Sequence, residues 1–211
     1  MKCKQCGLDN DVDAQFCSNC GFDMTRVGSG TIVPAFDVQH SLVERMVGAA
    51  KLDVRMFEEV EADTSATRQA LIVVLVVALA TGLSAAVDQG IAVFIPLVLF
   101  GLISWAVWAF IIYIIGSKLL PTSDTECDWG QVARTTGFAQ TPGLLKIFSV
   151  VPVVGVPIAL FAEIWRLVAT IIAIRQALDY SSTLRAVAVV VLGFIPYTFV
   201  MYFALSIIGG V

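Results

Sequence analysis

The sequence contains 211 residues, of which 58% are hydrophobic and only 14% are charged. Soluble domains carry about 25% charged residues, so this composition excludes an ordinary soluble protein and predicts a membrane protein. The sequence contains no GxSxG, HExxH or P-loop motif and no catalytic paired-carboxylate arrangement, and its only histidine, His40, lies in a polar segment. These observations predict that the protein is not an enzyme.

Residues 3–21 read CKQCGLDNDVDAQFCSNCG and contain two CxxCG knuckles. Each CxxC turn directs two thiolates toward one point, and two turns supply the four ligands of a tetrahedral Zn²⁺. The spacing predicts a small zinc ribbon over residues 1–25, with a structural zinc ion held by Cys3, Cys6, Cys17 and Cys20. Disulfides are the alternative, which a reducing cytosol disfavours. Residues 1–25 carry two Lys, no Arg and four Asp, which favours a protein partner over nucleic acid.

Residues 26–38 contain VGSGT and are interpreted as a linker, and residues 39–66 are predicted to form cytosolic helices beside the membrane. Ser41 and Glu44 have the spacing of a helix capping box. The segment LDVRMFEEVEAD carries one Arg against five acids, whereas a helix on an anionic membrane surface is basic. It either packs on the ends of the spans with a solvated acidic face or presents that face to a partner. His40 is interpreted as a surface residue, and Cys127 as a free cytosolic thiol.

Residues 67–211 are predicted to form a domain of five transmembrane helices, which makes the fold class an all-α polytopic membrane protein. Uncharged apolar runs at 70–87, 91–117 and 186–211 are each long enough to cross a hydrocarbon core of about 30 Å. The region 133–178 is too long for one span, and the segment VPVVGVP divides it. The predicted spans are 68–87, 91–117, 134–153, 156–178 and 185–208.

The distribution of cations predicts the orientation. With five spans, every Lys and Arg outside the spans falls on the side of the N-terminus, which the positive-inside rule assigns to the cytosol. The first thirty residues offer no apolar core of a signal peptide, which agrees with a cytosolic N-terminus and places the C-terminus on the opposite side. The cations on the N-terminal side are Lys2, Lys4, Arg26, Arg45, Lys51, Arg55, Arg68, Lys118, Arg134, Arg175 and Arg185.

Three charges interrupt the apolar stretch from 144 to 174: Lys146, Glu163 and Arg166. If the hairpin between the third and fourth spans turns near Val154 and Gly155, Lys146 and Glu163 share a depth near the membrane midplane. An unpaired charge there costs at least about 2.5–3.5 kcal/mol, so the three are predicted to form an intramembrane charge cluster. The alternative is a third span from 144 to 162, with Lys146 at the cytosolic surface and the other two charges outside the membrane.

Three segments, at 46–82, 133–145 and 165–192, together resemble the prokaryotic branch of the Yip (Ypt-interacting protein) family. The resemblance covers residues 40–208 and implies five spans with a cytosolic N-terminus, sometimes preceded by a zinc ribbon. Eukaryotic members bind Rab-type GTPases and influence membrane shape. Their DLYGP-type motif is missing here, so GTPase binding is not carried over to this chain.

Two functions are compatible with these features. The first is a non-enzymatic scaffold or accessory protein of a prokaryotic inner or plasma membrane, which contacts the lipid bilayer and recruits or stabilises protein partners through the zinc ribbon and the cytosolic helices. Such a protein can belong to a larger membrane complex and influence membrane organisation. The second is a channel or transporter with a polar site at Lys146, Glu163 and Arg166.

Overall fold

The computed structural model describes residues 9–11, 40–123, 125 and 127–209. The chain divides into two compact units, Met1–Gln39 and His40–Val211. The described part of the second unit is built from seven α-helices, α1 to α7, with short 3₁₀ and π-helical segments between them. The four predicted zinc ligands and the predicted linker lie outside the described residues.

Two short helices precede the long ones: α1 (Leu42–Ala50) and α2 (Val54–Ala62). The predicted capping box is present at α1, because the Ser41 N–H donates to the Glu44 carboxylate (2.8 Å) and the Ser41 hydroxyl accepts from the Glu44 N–H (3.4 Å). The apolar face of α2 packs on the helical bundle through three buried side chains, Met56, Phe57 and Val60. The acidic segment therefore packs on the spans through its apolar positions.

Four helices in the described part of the chain are long and apolar enough to cross a membrane. Helix α3 runs over Ala66–Gln89, α4 over Phe94–Ile114, α6 over Gly155–Ala177 and α7 over Thr183–Gly209. A 3₁₀ turn precedes α4 and a π-helical turn follows it, which extends the apolar helix to Ile91–Leu119. These four helices agree with four of the five predicted spans.

The predicted span at 134–153 is not one continuous helix. The chain forms α5 (Trp129–Phe138) and then a 3₁₀ segment (Thr141–Val150). Pro142 accounts for the break, because it has no N–H to donate to the carbonyl of Phe138 and its ring clashes with a continuing helix. The hydroxyl of Thr141 donates to that carbonyl instead, at 2.7 Å.

The broken segment nevertheless runs beside α3 in the same direction. A Cβ on Gly137 would contact Ala70, a Cβ on Gly143 would contact Val77, and the hydroxyls of Ser149 and Ser84 are hydrogen-bonded. Seven residues of α3 advance about 10.5 Å, and six residues of mixed α and 3₁₀ helix advance about 9–12 Å, so the two chains stay in register. The small residues allow this close approach.

The turn before α6 lies where the sequence predicted it. The 3₁₀ segment ends at Val150, residues 151–154 form the turn, and α6 begins at Gly155. A side chain on Gly155 would meet the backbone carbonyl of Ser149, so only glycine fits here. The alternative span from 144 to 162 is therefore wrong, because that range contains the turn.

Buried contacts close one end of the bundle, which carries α1, α2 and the connections α4–α5 and α6–α7; we call it the α1–α2 end. The Tyr180 hydroxyl donates to the carbonyls of Gly116 (3.1 Å) and Leu120 (2.7 Å). The hydroxyl of Thr125 donates to the Leu178 carbonyl at 3.0 Å. A buried apolar cluster beneath these bonds joins α4, α5, α6 and α7.

Candidate functional site

The structure brings together the three charged residues that interrupt the apolar sequence. Lys146 lies in the 3₁₀ segment and forms an ion pair with Glu163 in α6. Arg166, one turn further along α6, donates from Nε to the same carboxylate at 2.9 Å. The carboxylate of Glu163 therefore pairs with Lys146 across the hairpin and with Arg166 on its own helix.

Gln140 is a fourth member of this group that the sequence analysis missed. Its side-chain oxygen accepts a hydrogen bond from Arg166 Nη1 at 2.8 Å. Gln140 is uncharged and lies in the break between α5 and the 3₁₀ segment, so neither a search for charges nor a helical periodicity would select it. The available signal was a polar side chain immediately before the Thr-Pro-Gly sequence that interrupts the apolar run.

The four polar residues line one side of a cavity of about 560 Å³. The cavity lies among α3, α4, α6 and α7, where apolar and aromatic side chains form most of the wall, including Val77, Leu97, Phe100, Trp108 and Phe194. The buried cluster at the α1–α2 end lies beyond Trp108, which packs against it. The result is an apolar chamber with a charged wall.

Trp105, which lines this cavity, has a polar group without a partner in the described part of the chain. Its indole N–H is buried and has no hydrogen-bond acceptor among the described residues. A buried N–H donor without a partner costs about 1–3 kcal/mol. The nitrogen is closed to solvent, so Trp105 lines the cavity with the rest of its ring and not with this N–H.

A second charged cluster fixes α1 and α2 to the bundle, and we call it the Arg45 cluster. Arg45 is 1% exposed and donates to Glu59 at 3.0 Å, to Asp63 at 2.6 Å and to Gln69 at 3.0 Å. These partners come from α2, the α2–α3 connection and α3, so one guanidinium joins three elements. His40 pairs with the same Glu59 carboxylate, and 37% of its side chain is exposed.

Arg134 makes a similar connection from α5. It is 5% exposed, and it donates from Nε to the Val60 carbonyl at 3.0 Å and from a terminal nitrogen to the Glu61 carbonyl at the end of α2. The Glu61 side chain accepts from Gln131 at 3.0 Å. Burial, reinforced by the charge of nearby Asp179, raises the pKa of Glu61 to about 7.

One hydrogen bond gives the position of α1 along the bundle. Trp165 Nε1 in α6 donates to the carbonyl of Ala50, the last residue of α1, at 2.9 Å. Twelve residues of α6, about 18 Å, lie between Trp165 and the end of that helix. The end of α1 therefore lies beside the middle of a spanning helix, and Val43 and Val47 on its outer face are 66% and 46% exposed.

Cys127 has no disulfide partner among the described residues, in agreement with the predicted free thiol. Burial, together with the nearby carboxylates of Asp128 and Glu61, raises the pKa of its thiol to about 11. The thiolate is the reactive form, so a raised pKa keeps this thiol protonated and weakly nucleophilic at neutral pH. It packs as a small apolar side chain against the buried cluster at the α1–α2 end.

The apolar helices define an integral membrane protein. A family model described as the Yip1 domain matches residues 54–207, nearly three quarters of the chain. The chain therefore belongs to the Yip1 domain family, and its members are in general non-catalytic membrane proteins. This result confirms the resemblance to the Yip family. Comparisons with curated proteins and with solved structures give no match.

Proposed function

We propose that the protein is a non-enzymatic accessory scaffold of a prokaryotic plasma membrane. Its α1–α2 pair and its zinc ribbon recruit or stabilise protein partners on the cytosolic side. The observation that carries this proposal is the Arg45 cluster, which fixes α1 and α2 rigidly to the spanning helices. A surface held in a fixed orientation loses less conformational entropy when a partner binds than a flexible one does.

The exposed side of the α1–α2 pair supplies the surface for a partner. Arg55 is 88% exposed, and Glu44 and Glu58 are also exposed, with Glu58 accepting a hydrogen bond from Gln176 in α6 at 2.9 Å. These side chains form a mixed, polar surface, whereas Val43 and Val47 on α1 suit contact with lipid at the depth given by Trp165. This division supports protein contact at α2 and membrane contact at α1.

Site-specific photo-crosslinking in native membranes tests the partner surface. A crosslinking residue at Arg55 should yield a discrete protein adduct, whereas one at Phe199, a 72% exposed residue of α7, should yield lipid adducts. Mass spectrometry identifies the adducts. If the variant with the crosslinking residue at Arg55 gives no protein adduct, and only lipid adducts or uncrosslinked protein are found, the scaffold proposal is contradicted.

We also propose five membrane crossings, with the broken segment of α5 and the 3₁₀ helix as the third. Its support is the register with α3, from Ala70 to Ser84, which spans about 21 Å of that helix. Five crossings place the N-terminus in the cytosol and the C-terminus outside.

Reporter fusions test this topology, because an odd number of crossings separates the two termini. A C-terminal alkaline phosphatase fusion should be active and a C-terminal green fluorescent protein fusion should be dark. Fusions that end in the α6–α7 connection, at Ser182, should show the reverse pattern. A fluorescent C-terminal fusion would contradict five crossings, because it would indicate that the broken segment does not cross the membrane.

A second candidate function is passage of a solute or ion through the cavity beside Lys146, Glu163 and Arg166. The observation in its favour is the cavity of about 560 Å³ with this charged wall. Flux from liposomes that depends on the protein and changes in Glu163→Gln would support it. Vesicles that remain sealed with wild-type protein would exclude this function and leave the scaffold.

A further inference from the structure

The charged wall of the cavity has a net charge of +1. Lys146 and Arg166 are both cations, and among the described residues Glu163 is the only carboxylate paired with either of them. An ion in the hydrocarbon region without a counterion costs at least about 2.5–3.5 kcal/mol. The cavity therefore favours a molecule that brings one negative charge.

The same wall keeps unused hydrogen-bond donors. A lysine has three N–H groups and an arginine five, and the described contacts use one of the lysine N–H groups and three of the arginine N–H groups. Several donors and no free carboxylate suit an acid group with two or more acceptor oxygens.

The remainder of the cavity suits an apolar group. Leu97, Phe100, Leu167 and Phe194 lie along the walls away from the charges. The volume of about 560 Å³ falls within the range of about 300–1,000 Å³ that is usual for small-molecule sites. Phe194 lines the cavity and is 50% exposed.

We propose that this cavity binds an anionic membrane amphiphile, with its acid group between Lys146 and Arg166 and its chain along the apolar wall. The acid group supplies the missing negative charge, and the apolar walls exclude water from the hydrocarbon chain of the amphiphile. The chemistry is that of a phosphate or carboxylate on a hydrocarbon tail. This binding site is independent of the scaffold proposal, because neither α1 nor α2 lines it.

Fluorescence quenching tests the site in the full-length protein in an uncharged detergent. The probes are lysophosphatidylglycerol and lysophosphatidylcholine with the same brominated chain, since bromine quenches a tryptophan that it contacts. Trp105 and Trp108 line the cavity, whereas Trp129 and Trp165 do not. The anionic lipid should quench saturably, with an affinity about tenfold above that of the zwitterionic lipid, which corresponds to about 1.4 kcal/mol. Trp105→Phe and Trp108→Phe should each reduce the quenching.

Three variants change the charge of the wall or of a control position. Lys146→Met leaves a neutral Glu163–Arg166 pair and should lower the affinity for the anionic lipid about tenfold. Glu163→Gln raises the net charge and should strengthen binding, so the two variants have opposite effects. Lys118→Met removes an exposed lysine outside the cavity and should leave the affinity unchanged.

A fourth variant covers the case in which Lys146→Met does not fold. Ser104→Phe fills the cavity without changing its charge and should abolish saturable quenching, whereas Thr198→Phe, on the exposed surface of α7, should not. Inorganic phosphate, added together with the brominated anionic lipid, should compete only weakly because it has no hydrocarbon chain.

Specific results would overturn the proposal. Equal affinity for the two lipids, or weaker binding in Glu163→Gln, would show that the charged wall does not select an anion. Competition by inorganic phosphate at the affinity of the lipid would show an anion site without a chain site. Unchanged binding in Ser104→Phe would place the lipid elsewhere on the protein.

Discussion

Arg45 shows how one side chain can determine the position of two helices. It is almost completely buried and bonded to two carboxylates and an amide, which come from α2, the α2–α3 connection and α3. Removing one partner from a buried ionic group leaves the others uncompensated, which is more destabilising than the loss of a surface pair. The contribution of Arg45 to stability should therefore greatly exceed that of Arg55.

We expect Arg45→Met to lower the free energy of unfolding by about 3–5 kcal/mol, because Glu59 and Asp63 would remain charged and partly buried. Arg55→Met is the matched control, since Arg55 is 88% exposed and lies 3.7 Å from Asp53. That change should cost less than about 1 kcal/mol. Unfolding in mixed micelles with increasing dodecyl sulfate measures both, and equal losses would show that the Arg45 cluster has no special role.

Glu61 makes stability depend on pH. Burial and then the charge of Asp179 raise the pKa of Glu61 in the folded state to about 7, against 4.5 ordinarily, with Glu58 adding to this effect and Arg134 opposing it. The folded protein therefore holds a proton that the unfolded chain loses. Its stabilising contribution is complete below pH 4.5 and is lost as the pH rises to about 7.

We expect Glu61→Gln to remove this loss, because glutamine stays neutral and keeps the oxygen that accepts from Gln131. The variant should melt at a higher temperature than wild type at pH 8, and the difference should vanish near pH 4.5. The control is Asp88→Asn, an exposed carboxylate at the other end of α3. Thermal melts of both variants from pH 4.5 to 8 provide the measurement, and parallel curves for Glu61→Gln and wild type would contradict the assignment.

At the scale of elements, the broken segment of α5 and the 3₁₀ helix illustrates how a proline interrupts a helix in a membrane. Pro142 prevents α5 from continuing, and Thr141 satisfies the carbonyl that the proline cannot reach. A freed backbone carbonyl in hydrocarbon must find another donor, so the hydroxyl stabilises the break. The break also places Gln140 where it can accept from Arg166.

The hairpin that follows depends on a single glycine. We expect Gly155→Ala to lower the free energy of unfolding by about 1–3 kcal/mol, because the new Cβ would collide with the backbone of Ser149, which cannot rotate away. In Gly193→Ala the new Cβ would approach only the tip of the Ile112 side chain at 2.8 Å, and that tip can rotate. The control should cost less than about 1 kcal/mol. Dodecyl sulfate titration measures both variants. A Gly155→Ala variant as stable as wild type would contradict the close approach of residue 155 to the backbone of Ser149.

For the whole molecule, the predicted zinc ribbon has a direct test. Purified protein should contain about one Zn²⁺ per chain, because the four cysteines supply a complete tetrahedral shell. Cys17→Ser should lower the zinc content, whereas Cys127→Ser should not, since Cys127 packs in the bundle. Elemental analysis by mass spectrometry gives the ratio. Zinc-free wild-type protein, or full zinc content in Cys17→Ser, would contradict the ribbon.

The sequence alone predicted the membrane class, the four long helices and the hairpin turn before Gly155, because each depends on local composition and length. The break at Phe138 was not predicted, although Pro142 marks it, because a proline can also lie within a continuous span when neighbouring helices satisfy the freed carbonyl. The sequence analysis also passed over the roles of Arg45 and Arg134, two of the most buried charged side chains among the described residues. Cations near a span are assigned to the aqueous surface by the positive-inside rule.

The charge cluster of Lys146, Glu163 and Arg166 separates what the sequence determines from what only the tertiary structure determines. Their charges in an apolar run were sufficient to predict that they are paired, because an unpaired ion in hydrocarbon is costly. The hairpin of the 3₁₀ segment and α6 decided which atoms meet, added Gln140 and formed the cavity with α3, α4 and α7. A cavity is the space that distant helices leave between them, so it depends on their packing and is not encoded in any single segment.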